Sequence, residues 1–277
     1  MKKYSRVYLE ITNICNKSCS FCPRTKREKK RMNMDDFAKI TDRLCGVTDY
    51  LYFHVMGEPL THPLLPDFIK YATSLGFKCA ITTNGSLISQ RADELISSGI
   101  YKVNLSLHSF EDGSDEEHQK YISDLCDFAD RASEAGILTV FRFWNKGKDD
   151  LHNDAATEII KKHFGDDWKW SLRGARIRHR LHIEFADRFT WPDMSAENGG
   201  KSLFCYGLRD HFGVLVDGSV IPCCLDHEGD ITLGNILETS IDEILNSLRA
   251  IKIVQGFDKR CAEEELCQKC GYARRFG

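Results

Sequence analysis

The chain has 277 residues, 42% hydrophobic and 29% charged, with a formal charge of −3. That length holds one barrel-sized domain plus a small appendage, and the charge balance argues against a generic nucleic-acid binder. No run of about 18 apolar residues is present and MKKYSRVYLEIT enters a strand pattern without a signal-peptide hydrophobic region, so a cytoplasmic protein is expected.

From residue 4 to about 185, short β-rich runs alternate with longer segments of helical periodicity, the pattern of repeated βα units around a parallel sheet. Strands are expected at 4–12, 49–56, 78–83, 102–108, 138–144 and 180–185, and helices near 34–45, 64–75, 89–98, 115–135 and 151–163. Phe37, Ile40 and Leu44 recur at helical spacing, Ser114 and Glu117 form a capping box, and Gly76, Gly99 and Gly136 stand where helices should stop. Six βα units are fewer than the eight of a full barrel, so the expected fold class is α/β, a partial (β/α)6 TIM-type barrel open along one side. After about residue 200 the rhythm breaks. HFGVLVDGSVIPCC reads as a hairpin turning at Asp217-Gly218 and TSIDEILNSLRAI as one amphipathic helix, giving expected domains of 1–199 and 200–277.

Two basic stretches stand out. RTKREKKR, Arg24 to Arg31, reads as a solvated loop, whereas in RGARIRHR alternation puts Arg176, Arg178 and Arg180 on one face of a strand, as an anion-facing surface or a solvated edge.

The twelve cysteines are not evenly spread: three stand at 15, 19 and 22, six between 205 and 270, and Cys45, Cys79 and Cys126 alone. In a reducing compartment such clusters bind metal or do chemistry. Cys15, Cys19 and Cys22 form C-x3-C-x2-C just after the first strand. A zinc site would need a fourth Cys or His nearby, and His54 begins another loop; an iron–sulfur cluster tolerates three thiolates with one iron left open.

This array, with Phe21 before its last cysteine on the loop after the first barrel strand, resembles the radical S-adenosylmethionine (radical SAM) superfamily. The resemblance implies a 4Fe-4S cluster on Cys15, Cys19 and Cys22, with SAM chelating the open iron through its amino and carboxylate groups. It implies reductive cleavage of SAM to a 5'-deoxyadenosyl radical that abstracts a substrate hydrogen, fed by a donor such as flavodoxin or ferredoxin. MGEP, Met56 to Pro59, resembles the family's G-G-E motif, so Gly57, Glu58 and Pro59 are implied SAM contacts, with Met56 replacing the first glycine. TTNG supplies Thr83 and Asn84 at the third strand's end, and Ser106 and Arg142 on the fourth and fifth strands complete the implied SAM pocket.

The second array, Cys205-x12-Gly218-x4-Cys223 and then Cys267-x2-Cys270, is similar to the Twitch domain, the short form of the SPASM domain. It implies an auxiliary 4Fe-4S cluster on those four cysteines, with Cys224 and Cys261 spare; a four-Cys structural zinc is the alternative. In size and spacing the chain resembles the aminoglycoside-pathway dehydrogenases typified by 2-deoxy-scyllo-inosamine dehydrogenase, which implies oxidation of a small-molecule alcohol. Glu184 and Arg188, on and after the sixth strand, are candidate substrate contacts or else a salt-bridged pair closing the barrel bottom or side. A peptide or protein maturase is the alternative reading, and a non-enzymatic metal-binding protein a third.

Overall fold

The computed structural model describes residues 3–147 and 152–276. The first five strands, β1 (Arg6–Leu9), β2 (Tyr50–Tyr52), β3 (Lys78–Thr83), β4 (Lys102–Ser106) and β5 (Leu138–Lys146), are each followed by a helix. These are α1 (Met34–Leu44), α2 (Leu65–Ser74), α3 (Ile88–Ser97), α4 (Asp115–Glu134) and α5 (Asn153–Phe164). Their caps follow the local sequence: Asn33 accepts from Asp36 N at 2.8 Å, and Ser114 and Glu117 make the expected reciprocal box. Residue 151, where the last of these helices was expected to begin, lies outside the described residues.

The sixth unit departs from expectation. A hairpin of β6 (Lys169–Ser171) and β7 (Gly174–Arg178) precedes β8 (Leu181–Asp187), and no helix follows β8, because 188–200 carries Pro192, Gly199 and Gly200 instead of an apolar period. The arginine stretch is therefore one strand and a turn. Arg176 and Arg178 lie on β7, Arg178 pairs with Asp130, and Arg180 takes φ 62° in the β7–β8 turn, so the three share no common face.

The sheet has eleven strands in the order β11-β10-β9-β1-β2-β3-β4-β5-β8-β7-β6. β1 to β5 and β8 run parallel, confirming a partial barrel of six parallel strands with two separate edges. The C-terminal part extends the same sheet: β9 (His211–Val214) pairs parallel with β1, and β10 (Ser219–Ile221) returns antiparallel through a turn at Asp217 and Gly218. β11 (Gly234–Asn235) closes that side. The single helix expected in TSIDEILNSLRAI is two, α6 (Ile241–Leu245) and α7 (Leu248–Asp258), because Ser247 starts a second helix by accepting from Ala250 N. A short α8 (Glu265–Gln268) carries Cys267.

Alternation along the strands decides what the barrel encloses. Val7 and Leu9, Val103 and Leu105, and Phe141 and Phe143 are buried in the apolar layer shared with the helices, where Phe37 and Phe68 stack 4.1 Å apart. The opposite face carries Arg6, Tyr8, Tyr52, Lys102, Ser106 and Arg142, all lining a cavity. A closed barrel fills that space with branched apolar layers; here these charged and hydroxyl-bearing side chains border a hollow. Among the described residues no helix is long and apolar enough to cross a membrane.

Candidate functional site

The cavity, about 800 Å³, is lined by Cys15, Cys19 and Cys22 and also by Cys205, Cys223, Cys267 and Cys270. Both cysteine arrays thus open on one chamber.

The first array sits on a loop pinched at its neck. Thr12 bridges to Arg31, Asn13 Nδ2 donates to Glu28 O at 2.8 Å, and Lys30 N donates to Asn13 Oδ1 at 2.7 Å. Its tip is held by a residue the sequence did not single out: Glu111 accepts from Ser20 N and Ser20 Oγ at 2.6 and 2.5 Å. Burial, Glu111 and the neighbouring thiols push Cys19 up to about 11, and burial raises Cys15 and Cys22 as well. Cys15 is exposed and the other two are half-buried, and a cationic guest would favour the thiolate form of all three, the form in which cysteines hold an iron–sulfur cluster. Phe21 lines the cavity with its ring 4.8 Å from that of His108.

MGEP is bonded directly to this loop. Glu58 N donates to Ile14 O at 2.9 Å, and Gly57 takes φ 78° where a Cβ would lie 2.4 Å from Thr12 O. The Glu58 carboxylate, 2% exposed, accepts from Leu60 N at 2.9 Å and Thr83 Oγ1 at 2.7 Å through Oε1, and from Asn84 N at 2.7 Å through Oε2. It therefore organises TTNG as well as facing the chamber, with acceptor capacity left on Oε2. Burial outweighs those three bonds and pushes Glu58 up to about 7. Pro59 begins the short helical turn after it and does not line the chamber, whereas Thr83 and Asn84 do. Asn84 Nδ2 also reaches Asn16 Oδ1 at 3.0 Å, tying TTNG to the cysteine loop.

Ser106 and Arg142 are register partners on β4 and β5 and both line the chamber. Arg142 lies 4.7 Å over the Trp144 ring, and its Nε is 3.3 Å from Glu184 Oε2. Glu184 itself does not line the chamber, whereas Arg188 does; Glu184 pairs with Arg142 and not with Arg188.

In the second array, burial is the main force raising Cys205, Cys223, Cys267 and Cys270, and mutual repulsion adds to it for the first three. All four line the chamber, and four cysteines are the donor set of a closed four-thiolate cluster. Cys224 also lines the chamber, against Tyr8, while Cys261 does not. Among the described residues no three His, Cys, Asp or Glu side chains are arranged around a single metal ion. Spacing could not have found Glu10, Glu111, His54 or Lys102, since each is brought to the site by a strand or loop that only the fold places.

A partial parallel barrel with two cysteine arrays lining one chamber suits an iron–sulfur barrel protein. The Radical SAM superfamily matches residues 9–145, and the iron-sulfur cluster-binding domain SPASM matches residues 205–271. The GTP 3',8-cyclase of Chlorobaculum tepidum is 24% identical over 90% of this chain and 87% of that protein. The antilisterial bacteriocin subtilosin biosynthesis protein AlbA of Bacillus subtilis is 23% identical over 97% of this chain and 65% of that one. Among solved structures, BtrN in complex with AdoMet and 2-DOIA superposes with a TM-score of 0.64 at 19% identity, covering 97% of this chain and 93% of that one. The chain belongs to the radical SAM superfamily and carries a C-terminal domain of the SPASM type; it is an enzyme whose cofactors are 4Fe-4S clusters and SAM.

Proposed function

We propose that this enzyme carries out a two-electron oxidation of a small molecule, with Cys15, Cys19 and Cys22 holding the SAM-binding 4Fe-4S cluster. Cys205, Cys223, Cys267 and Cys270 hold an auxiliary one. The observation that carries the reading is the single chamber onto which both arrays open, large enough for SAM and a small substrate. The cofactors supply the hydrogen-abstracting radical, and oxidation then requires the substrate to lose a proton and one further electron, for which the second cluster is the acceptor at hand.

The chain's own residues position the reactants. Gly57, Glu58, Thr83, Asn84, Ser106, Arg142 and Phe21 surround the SAM side of the chamber, with Pro59 fixing the turn behind Glu58. The Glu58 carboxylate takes the SAM ammonium and Arg142 the SAM carboxylate. Arg188 contacts substrate at the open mouth, and Glu184 acts through Arg142. A reducing cytoplasm with a flavodoxin or ferredoxin as donor suits such a protein.

Peptide or protein modification is the second reading. A smaller cavity of about 370 Å³, lined by Phe110, Glu111, His118 and Arg188 among others, adjoins the chamber and offers room for residues flanking a modified side chain.

The test is anaerobic reconstitution followed by turnover with deuterated candidates. About eight iron and eight sulfide per chain, and deuterium carried from an alcohol C–H into 5'-deoxyadenosine, are expected. Zinc without sulfide would remove the cluster assignment, and deuterium arriving only from a peptide would replace the first reading by the second.

A further inference from the structure

Three cations line the barrel wall within the chamber: Arg6 on β1, Lys102 on β4 and Arg142 on β5. Two have a carboxylate of their own. Arg6 Nη2 is 3.2 Å from Asp210 Oδ2, and Arg142 Nε is 3.3 Å from Glu184 Oε2. The Lys102 side chain makes no hydrogen bond or ion pair among the described residues.

Lys102 is not a surface lysine. Its neighbours Val103 and Leu105 are fully buried toward the helices, so alternation turns Lys102 inward, and it is half-buried there. Burial and the Arg142 charge both disfavour its ammonium, with Glu184 only partly compensating. A half-buried cation so incompletely compensated costs free energy that a bound anion would recover. A second unmet group stands in the same wall: His54 Nδ1 is buried without a hydrogen-bond partner, and burial with the Arg142 and Lys102 charges keeps that imidazole neutral. The Tyr52 hydroxyl side of β2 adjoins it, the Tyr52 and His54 rings lying 5.7 Å apart.

Position separates this group from the SAM contacts. Ser106 ends β4 and pairs with Arg142 in the middle of β5, whereas Lys102 is paired with Ala80 and Leu138 four residues earlier. The Arg142 guanidinium lies over Trp144, further along β5, and Lys102, the first residue of β4, belongs to the floor beneath it.

We infer that the floor of the chamber is a substrate anion subsite, in which Lys102 pairs with an oxyanion of the substrate, a phosphate or a carboxylate, and His54 completes its hydrogen bonding. The inference rests on the proposed function only in taking this chamber as the substrate pocket. It narrows the substrate class to anionic molecules.

Thermal unfolding of the cluster-reconstituted, SAM-loaded protein tests it, with inorganic phosphate, succinate or glucose added at constant ionic strength. Phosphate or succinate should raise the midpoint of the wild type and glucose should not; which anion acts distinguishes a phosphorylated from a carboxylated substrate. Lys102→Met should weaken the anion response at least tenfold in apparent affinity, about a factor that one lost ion pair accounts for, while Lys102→Arg retains it. Without anion, Lys102→Met should melt no lower than the wild type, since it removes an unpaired half-buried charge; Lys102→Gln provides the same comparison if the Met variant does not fold. No anion response in the wild type, or an undiminished one in Lys102→Met, overturns the subsite. Reductive formation of 5'-deoxyadenosine from SAM by the same wild-type preparation reads the proposed function separately. Cleavage without an anion response sinks the subsite alone, and an anion response without cleavage sinks the radical reading alone.

Discussion

The Arg27 guanidinium grips the Glu10 carboxylate in a two-bond fork, Nη1 to Oε2 at 2.8 Å and Nη2 to Oε1 at 2.6 Å, and Glu10 is fully buried. The same carboxylate accepts from Met56 N and Val216 N, each at 3.1 Å, and Arg27 Nε donates to His227 O at 2.9 Å. One ion pair therefore ties the first cysteine loop to MGEP and to the hairpin that leads to Cys223. Removing one partner strands a buried charge, so Arg27→Met should cost about 3–5 kcal/mol in a denaturant titration. Adding Glu10→Gln should restore part of that loss, because the pair and not the separate side chains is what the interior tolerates. Strictly additive losses would show that the fork contributes nothing as a pair.

Gly57 and Gly46 share φ 78°, but a Cβ at Gly57 would meet Thr12 O at 2.4 Å while one at Gly46 meets nothing within 4 Å. Both alanine variants carry the left-handed backbone cost of about 1–2 kcal/mol. Only Gly57→Ala must also push MGEP away from the cysteine loop. SAM affinity, measured by equilibrium dialysis on reconstituted protein, should therefore fall in Gly57→Ala and stay near wild type in Gly46→Ala; equal affinities in the two would separate the turn from SAM binding.

The six parallel strands were legible because each carries its own alternation, and the cysteine loop because its spacing is local. What escaped was long-range. β6 is three exposed residues with no apolar face to betray it, and the parallel pairing of β9 with β1 joins residues about two hundred positions apart. Glu10 looked like one more polar strand position, since nothing near it in sequence tells that Arg27, Met56 and Val216 converge on it. Lys102 was hidden in the same way: a strand-initial lysine is ordinarily solvated, and only the hollow barrel makes it part of a pocket wall. Ser247 was the reverse case, a helix start readable in the local sequence but masked by the apolar period running through it.

Of the five thiols that the proposed clusters leave unused, Cys224 and Cys261 are the two in the C-terminal part, and they differ in that Cys224 lines the chamber. Cys267→Ala combined with Cys270→Ala should lower iron content by about half while SAM cleavage continues and oxidised product disappears. Cys224→Ala and Cys261→Ala should each keep full iron. Loss of half the iron in Cys224→Ala would make it a ligand in place of Cys223.

Glu58 gives the molecule a pH signature. Its carboxyl is pushed from an ordinary value near 4.5 up to about 7 by burial, against the bonds from Leu60, Thr83 and Asn84. Between those two values the folded chain keeps a proton that the unfolded chain has lost. The folded state binds more protons there, so stability is full below about pH 4.5, falls as pH rises and levels off above about pH 7. The span is worth on the order of 3 kcal/mol. Glu58→Gln sets an amide NH2 against Asn84 N and lowers stability at every pH, but it should remove this slope, which melting of SAM-free protein across the window will read. SAM supplies the opposite bias, because an ammonium beside Glu58 favours the carboxylate. Binding of SAM below pH 7 should then release a proton from wild type and none from Glu58→Gln, measured by calorimetry in buffers of different ionisation enthalpy. Equal proton release from both proteins would place the SAM ammonium away from Glu58.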